Sequence, residues 1–460
     1  MSVLGCGHGG RLMVLGLGRT GRAAARLAAE LGYRVLACDD ALAPGAEDLP
    51  GCVSLIDVGD ACKQVVDVGL VVTSPGVAAC HPVIRAAVAA GVRVWSELEF
   101  AGQSLEVPVY AITGTNGKST TTTLLGAMIE NSGRRVFTGG NLGSPLADAV
   151  GGGYDCCVVE VSSFQLEWTR SFHPRVAALL NLGDDHLDRH RTLREYLACK
   201  LRLFANMGPA DRAVVDPGQA WWKERAGGQD CPFAPGKPSV SGFGSNEAPG
   251  SMEGTYFDRS ARILEGEGNW TVALPDHWPV APHDFSNLAA ASEMARLIGV
   301  ESKAVEAAVA SFRPLPHRLS LVAQHRGVQF WNDSKATNSL SVLSSLEAMD
   351  RPVVLILGGV AKGSDFSAIA GADASIRAVV AYGQAAHGIG VDLGSRFRVV
   401  EADAFERAFA MAAGEARAGE AVLLAPACAS FDEFGDYAER GERFVELVRG
   451  WVDKRCGPET

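Results

Sequence analysis

The chain has 460 residues, 47% of them hydrophobic and 21% charged, with a formal net charge of −11. These globular values and this length set a prior of about three domains of ~150 residues, and the acidic balance argues against a nucleic-acid or anionic-membrane surface. The 11 cysteines are scattered without CxxC spacing, which suits reduced thiols better than a disulfide framework or a zinc site. The opening residues, MSVLGCGHGG, lack a charged region followed by an apolar one, and no apolar run approaches ~18 residues. A cytoplasmic protein is expected.

Arg11 to Leu15 reads as a short strand, followed by Gly16-Leu17-Gly18-Arg19-Thr20-Gly21 and an Ala/Leu/Arg helix through Leu31. The next strand, Arg34 to Cys38, ends in Asp39-Asp40. This is the dinucleotide fingerprint: a helix N-terminus for a pyrophosphate and, about 20 residues on, a carboxylate for a ribose or base. Alone it suggests a nicotinamide or flavin dehydrogenase, but any nucleotide diphosphate satisfies the same physics. A further strand, Leu70 to Thr73, ends in Ser74-Pro75-Gly76, either a ligand loop at the carboxyl edge of a parallel sheet or a plain turn. Alternation continues through Val92-Arg93-Val94-Trp95, and a first domain spanning residues 1–103 is expected.

A second domain, residues 104–313, opens on the buried strand Val109 to Ile112. The strand breaks at Gly114, and Thr115-Asn116-Gly117-Lys118-Ser119-Thr120 runs on into a helix. The loop is a shortened form of GxxxxGK[ST], with Ile112 where the first glycine would fall. Its N–H groups and helix N-terminus suit a phosphate, Lys118 adds a point charge and Ser119 can ligate Mg²⁺. Strand Cys156 to Val159 ends in Glu160, where a Mg²⁺-organising carboxylate belongs, unless the acid merely reaches water. Strand Val176 to Leu180 ends in Asn181-Leu182-Gly183-Asp184-Asp185-His186-Leu187-Asp188, a second metal corner or an Asp-rich helix start. Lys200 lies on a helical pattern and on composition alone reads as solvated. Pro209 to Pro282 reads as short strands and loops, and helical periodicity runs from Phe285 to about Phe312.

Pro314-Leu315-Pro316-His317-Arg318 reads as a stiff linker into a third domain, residues 314–460. There strand Val328 to Trp331 leads into Asn332-Asp333-Ser334-Lys335-Ala336-Thr337-Asn338, and strand Val353 to Leu357 into Gly358-Gly359-Val360-Ala361-Lys362. Strand Val379 to Tyr382 ends at Gly383, and Val422 to Leu424 leads into Ala425-Pro426-Ala427-Cys428-Ala429-Ser430-Phe431-Asp432. Polar loops at several strand ends, carrying Asp333, Lys335 and Lys362, mark the ligand edge of an open sheet. The fold class expected is α/β in three domains: N-terminal Rossmann-like, central phosphate-loop and C-terminal Rossmann-like. Three ligand edges fit an ATP-dependent ligase, which activates a carboxylate as an acyl phosphate for an amine to attack.

The loop Thr113 to Thr120 resembles that of the Mur ligases, cytoplasmic ATP-dependent amide-forming enzymes of peptidoglycan precursor synthesis. Gly140-Asn141-Leu142-Gly143, Glu160 to Glu167, Asp185 to Arg189, Asn332 to Asn338 and Pro426 to Asp432 are similar to the D-glutamate-adding members. The resemblance spans nearly the whole chain. It implies that D-glutamate is joined to UDP-N-acetylmuramoyl-L-alanine, with ATP, two Mg²⁺ ions and small-molecule substrates, by a monomer that engages neither nucleic acid nor membrane.

By the same resemblance Gly114, Thr115, Asn116, Gly117, Lys118, Ser119 and Thr120 bind ATP. Lys118, Glu160, His186 and Lys200 act in catalysis. Ser119 and Glu160 share one Mg²⁺, while His186 and a carbamylated Lys200 hold the second. Arg318, Asp333 and Lys335 reach the nucleotide. Arg19, Thr20, Asp39, Asp40, Ser74, Pro75, Gly76 and Asn141 hold the UDP-linked substrate. Thr337, Lys362, Ser430 and Phe431 take D-glutamate, with Tyr437 at the edge. Two departures stand out: Val360-Ala361 precedes Lys362 where an acid and a glycine are common, and Asp284 follows His283 where an asparagine commonly meets adenine. The competing readings are an NAD-dependent oxidoreductase, which leaves Gly117-Lys118-Ser119 and Glu160 unexplained, and a degenerate nucleotide-binding regulator, which leaves Lys118, Glu160 and His186 intact without use.

Overall fold

The computed structural model describes residues 10–41, 48–225, 236–244, 252–258, 262–267, 270–275, 278, 282–361, 366–372 and 376–455. Among these residues the strands form three sheets. Strands Leu70–Thr73, Val109–Thr113, Cys156–Glu160 and Val353–Gly358 are buried along their whole length, as apolar runs must be when helices cover both faces of a parallel sheet.

The first sheet contains β1 (Arg11–Leu15), β2 (Arg34–Cys38), β3 (Val53–Leu55), β4 (Leu70–Thr73) and β5 (Arg93–Ser96), all parallel in the order β3-β2-β1-β4-β5. The order reverses between β1 and β4, so their carboxyl ends open a crevice. Helix Arg19–Glu30 leaves β1 through the glycine turn. A Cβ on Gly21 would stand 1.7 Å from the Gly16 carbonyl oxygen, so only glycine allows the helix this close to the strand end.

The second sheet holds β6 (Val109–Thr113), β7 (Val136–Gly140), β8 (Cys156–Glu160), β9 (Val176–Leu179), β10 (Arg212–Val215), β11 (Ser239–Gly244), β12 (Gly254–Asp258), β13 (Ile263–Gly266) and β14 (Trp270–Ala273). Their order is β14-β13-β12-β11-β10-β9-β6-β8-β7, parallel from β7 to β12 and antiparallel over β12-β13-β14. The polar stretch read as short strands and loops thus extends the central sheet. The long periodic segment is two helices, Pro282–Leu297 and Ser302–Ser311. Gly299 (φ +77°) separates them: Gly299 N–H donates to Arg296 O and Val300 N–H to Ala295 O, a Schellman ending.

The third sheet, β15 (Ser320–His325), β16 (Val328–Asn332), β17 (Val353–Gly358), β18 (Ile376–Tyr382), β19 (Val399–Ala402) and β20 (Ala421–Ala427), runs β15-β16-β20-β17-β18-β19. It is parallel except for β15 against β16.

Two compact units result. The first comprises Met1–Leu182, Arg194–Trp278 and Ser286–Ser311, and the second Gly183–Leu193, Pro279–Phe285 and Phe312–Thr460. Within the first unit, one hydrophobic cluster runs from Leu12 and Val14 of β1 to Ala111 of β6 and Val159 of β8. Two buried acids of helix Glu97–Gly102 seal the join between its two sheets. Glu99 accepts from Arg170 N, Ser171 N and Phe172 N at 2.8–2.9 Å, and Glu97 Oε1 accepts from Ala147 N at 2.6 Å.

Candidate active site

The turn after β6 is shaped by two glycines with positive φ, Gly114 (+156°) and Gly117 (+84°). A Cβ on Gly117 would meet Asn287 Oδ1 at 2.0 Å. Asn181, at the end of the neighbouring β9, clamps the turn from the side: its Oδ1 accepts from Asn116 N at 2.8 Å and its Nδ2 donates to Asn116 O at 3.1 Å. Helix Lys118–Asn131 begins at Gly117, which gives no side-chain cap, so the positive end of its dipole lies at this turn, where anions are favoured.

Charge converges on this turn. Lys118 Nζ donates to the carbonyls of Gly114 and Thr115 at 3.0 and 2.8 Å. Lys200 Nζ donates to the same Gly114 carbonyl at 2.8 Å and lies 4.3 Å from the centre of the Tyr196 ring. Lys200 is 1% exposed, so composition misleads in reading it as solvated. Glu160, 3% exposed, closes the site from β8. Its Oε2 accepts from Ser119 Oγ at 2.6 Å and its Oε1 from Asn141 Nδ2 at 2.7 Å. Asn141 gets there because Gly140 (φ +97°) brings the end of β7 against β8, where a Cβ would lie 2.4 Å from Glu160 O. A buried carboxylate beside a hydroxyl is the hard-oxygen donor set that suits Mg²⁺, which completes its shell with water and phosphate oxygens.

Asn141 also lines a cavity of about 730 Å³ at the strand-order reversal of the first sheet. Its wall includes Gly16, Gly18, Arg19, Thr20, Asp39, Asp40, Ser74, Pro75 and Gly76, together with Gly140 at the end of β7 and Gln165 on the short helix after β8. The three fingerprint glycines divide the work. Gly16 (φ +85°) makes the turn and its carbonyl accepts from Ser74 Oγ at 2.7 Å; Gly21 admits the helix; Gly18 faces open space, where a ligand's phosphates can approach the backbone. Both oxygens of Asp39 are engaged internally, Oδ2 by Leu17 N and Oδ1 by Ala41 N. That carboxylate braces the glycine turn itself.

The second unit carries most of the remaining residues singled out in the sequence. Asp333, at the end of β16, accepts from Ser345 Oγ, and its burial raises its pKa. Burial pushes His283 down to about 4, with the Arg318 charge adding to the effect. Burial pushes Asp284 up to about 6 against the opposing pull of Arg318. The two side chains are 3.6 Å apart. Among the described residues, the buried Arg318 Nε and His283 Nδ1 have no hydrogen-bond partner. Lys335 Nζ is 3.4 Å from Tyr437 Oη and 5.0 Å from its ring centre. His186 adopts φ +57° beside Asp185, whose Oδ2 accepts from Asn338 Nδ2 at 3.1 Å. No group of three or more His, Cys, Asp or Glu gathers as a metal site among the described residues. Thr337 and Ser430 follow β16 and β20, Phe431 is 72% exposed, and Lys362 lies outside the described residues.

Family models match three stretches: "Mur ligase MurD-like, N-terminal domain" over residues 10–96, "Mur ligase middle domain" over 112–234 and "Mur ligase, glutamate ligase domain" over 317–428. The UDP-N-acetylmuramoylalanine--D-glutamate ligase of Syntrophus aciditrophicus is 37% identical, across 96% of this chain and 98% of that relative. The chain belongs to the Mur ligase family. The enzyme of the same name from Geobacter metallireducens is 38% identical over 96% of this chain and 97% of its own. Solved structures share the fold: MurC of Thermotoga maritima (TM-score 0.58, 18% identity, 96% of this chain and 100% of that one) and MurF of the same organism with ADP (0.59, 17%, 98% and 96%).

Three residues of this Mur ligase escape a motif-based reading. Asn181 is one; its signal is a polar side chain closing a strand beside β6. Asn287 is another, packed against Gly117. Arg440 is the third and is 0% exposed. Its guanidinium donates to Ser334 Oγ and O (2.9 Å each), Cys428 O (3.1 Å), Tyr382 Oη (3.3 Å) and Gly358 O (3.4 Å), gathering four strand ends of the third sheet. It shares a buried helical stripe with Phe444 and Val448, and an arginine at that spacing on an apolar face is the trace it leaves in the sequence.

Proposed function

We propose that this Mur ligase joins D-glutamate to UDP-N-acetylmuramoyl-L-alanine using ATP, through an acyl phosphate, in peptidoglycan precursor synthesis. One observation carries the reading. The hydrogen-bonded line Ser119–Glu160–Asn141 connects the phosphate loop to the 730 Å³ cavity, so a carboxylate presented from the cavity can meet the γ-phosphoryl group. The relatives at 37–38% identity carry this activity in their names.

In this reading residues 1–103 bind the UDP part, 104–313 bind ATP and 314–460 bind the incoming amino acid. Backbone N–H groups at Gly18–Thr20, with Arg19, hold the diphosphate of the UDP-linked substrate, and Asn141 orients its acyl end. Gly114 to Thr120 hold the triphosphate, with Lys118 moving from the Gly114 and Thr115 carbonyls onto phosphate oxygens. An alanyl carboxylate oxygen attacks the γ-phosphorus and ADP leaves. The D-glutamate amine then attacks the acyl carbon, loses a proton, and the tetrahedral adduct expels inorganic phosphate as the amide forms. Charge neutralisation and alignment supply the rate, on the order of 10 kcal/mol together.

Ser119 and Glu160 would hold one Mg²⁺, and His186 with a carbamylated Lys200 a second, and bound Mg²⁺ would supply charge neutralisation for the phosphoryl oxygens. Burial of Lys200 against the phosphate loop supports that role, since a carbamate would add two hard oxygens to that lysine. Arg318, Asp333 and Lys335 would reach the nucleotide, and Arg318 Nε, without a hydrogen-bond partner among the described residues, supports this. Thr337, Lys362, Ser430 and Phe431 would take D-glutamate. No helix among the described residues is long and apolar enough to cross a membrane, and a cytoplasmic monomer suits the small-molecule substrates.

The test supplies UDP-N-acetylmuramoyl-L-alanine, D-glutamate and ATP and follows ADP together with the amide product. Stoichiometric ADP and amide are expected. ADP release that requires a different amino acid would overturn the assignment.

A further inference from the structure

The fingerprint spacing points to Asp39 as the acid that meets a ligand, but each of its oxygens already accepts from the chain's own backbone. Asp40 is placed differently. Its side chain is 72% exposed and lines the cavity, and its Oδ1 lies 2.9 Å from His81 Nε2. His81 is only 10% exposed on its side chain and belongs to a different element, the start of helix Pro82–Ala89. There its Nδ1 accepts from Val83 N at 3.2 Å as the helix N-cap. A ring nitrogen that accepts carries no proton, so the single imidazole proton sits on Nε2 and is donated to Asp40. One short chain of bonds, helix N-terminus to imidazole to carboxylate, fixes an acid at the cavity wall, and among the described residues no hydrogen bond reaches its Oδ2.

We infer that His81 is a positioning residue for the UDP-linked substrate: it holds Asp40 so that Oδ2 accepts from a hydrogen-bond donor on the nucleoside. This rests on the proposed reading of the cavity as the UDP site. Two donors on a uridine fit a fixed carboxylate, the imide N–H of the base and a ribose hydroxyl. The same oxygen repels cytosine, whose ring nitrogen at the imide position is an acceptor. Asp39 shapes the loop for the phosphates, and the His81–Asp40 pair selects what is attached to them.

The test is calorimetric titration of the full-length chain with UDP, CDP and 2′-deoxy-UDP, paired with steady-state kinetics. His81→Asn keeps an N-cap side chain but is too short to reach Asp40. It should retain the wild-type melting temperature, weaken UDP about tenfold and raise KM for the UDP-linked substrate, with kcat and KM for ATP unchanged. Asp40→Ala should weaken UDP by at least as much, and the double variant no further than Asp40→Ala, because both act through one bond. With the imide as donor, Asp40→Asn shifts preference from UDP toward CDP. With the ribose as donor, it erases discrimination against 2′-deoxy-UDP instead. Wild-type UDP affinity in His81→Asn, or fully multiplicative effects in the double variant, would overturn the inference. Failure of the wild-type chain to bind UDP would overturn the reading of the cavity beneath it.

Discussion

Two glycine turns in the first compact unit share a scaffold, a buried parallel strand running into a helix, yet differ in everything attached to it. The turn at Gly16–Gly21 offers backbone N–H groups and Arg19, and its acid, Asp39, is folded back to brace it. The turn at Gly114–Lys118 gathers two lysines on one carbonyl, with a buried carboxylate and a hydroxyl 2.6 Å apart beside it. Backbone alone suffices to hold a diphosphate, because helix N-termini bind anions by geometry. Moving a phosphoryl group needs mobile cations and metal-organising oxygens aimed at charge that develops later. On the proposed function, the scaffold fixes where phosphate sits, and the side chains decide what happens to it.

The comparison breaks if Lys118→Ala spares turnover. The expected outcome is a loss of roughly 10³-fold or more in kcat, with UDP affinity unchanged by calorimetry, since the first turn has no part in the transfer. Glu160→Gln should cost roughly 10²–10³-fold in kcat. It replaces an acceptor of two hydrogen bonds, from Ser119 and Asn141, with a neutral amide that can accept at only one oxygen. Retained activity in that variant would remove the line between the loop and the cavity from the mechanism.

The two turns were legible to different degrees, for physical reasons. Glycine spacing, Lys118 and Ser119 are local features, and strands such as β1, β6 and β17 are short apolar runs that announce themselves. Strand β7 ends in two glycines, residues that weaken strands, and β3 is only three residues long with two of them exposed. Both form because neighbours supply the ladder, which no local pattern records. Lys200 is the sharpest case: a lysine in a helical stretch reads as solvent-facing until the fold turns it against Gly114. The internal role of Asp39 was hidden in the same way, because spacing locates an acid at the end of β2 without saying which partner reaches it first.

A third variant probes the seam between the two turns. Glu97 is buried at 1% exposure, with Oε1 bound to Ala147 N and Oε2 lacking a partner among the described residues. Burial, with Asp148 nearby, pushes its pKa up from 4.5 to about 7. The fold therefore binds this proton more tightly than the unfolded chain does. That contribution to stability is fully present below about 4.5 and is lost as the pH rises through about 7. Glu97→Gln carries no charge to bury, so it should exceed wild type at pH 8.5 by on the order of 2–3 kcal/mol in denaturant titrations. The gap should close by pH 4.5. A gap that does not change with pH would show that Glu97 ionises freely in the fold.

The smallest effect separates holding from folding within the first turn. A Cβ on Gly21 collides with Gly16 O at 1.7 Å, so Gly21→Ala should cost about 2–4 kcal/mol of stability and lose UDP binding with it. A Cβ on Gly18 meets nothing within 4 Å, and its φ of −60° suits any residue. Gly18→Ala should therefore melt within about 0.5 kcal/mol of wild type, yet bind UDP several-fold more weakly, because the methyl group would stand where the proposed site brings the phosphates to the backbone. Unchanged UDP affinity in a well-folded Gly18→Ala would place the diphosphate elsewhere in the cavity and leave the first turn a structural bend.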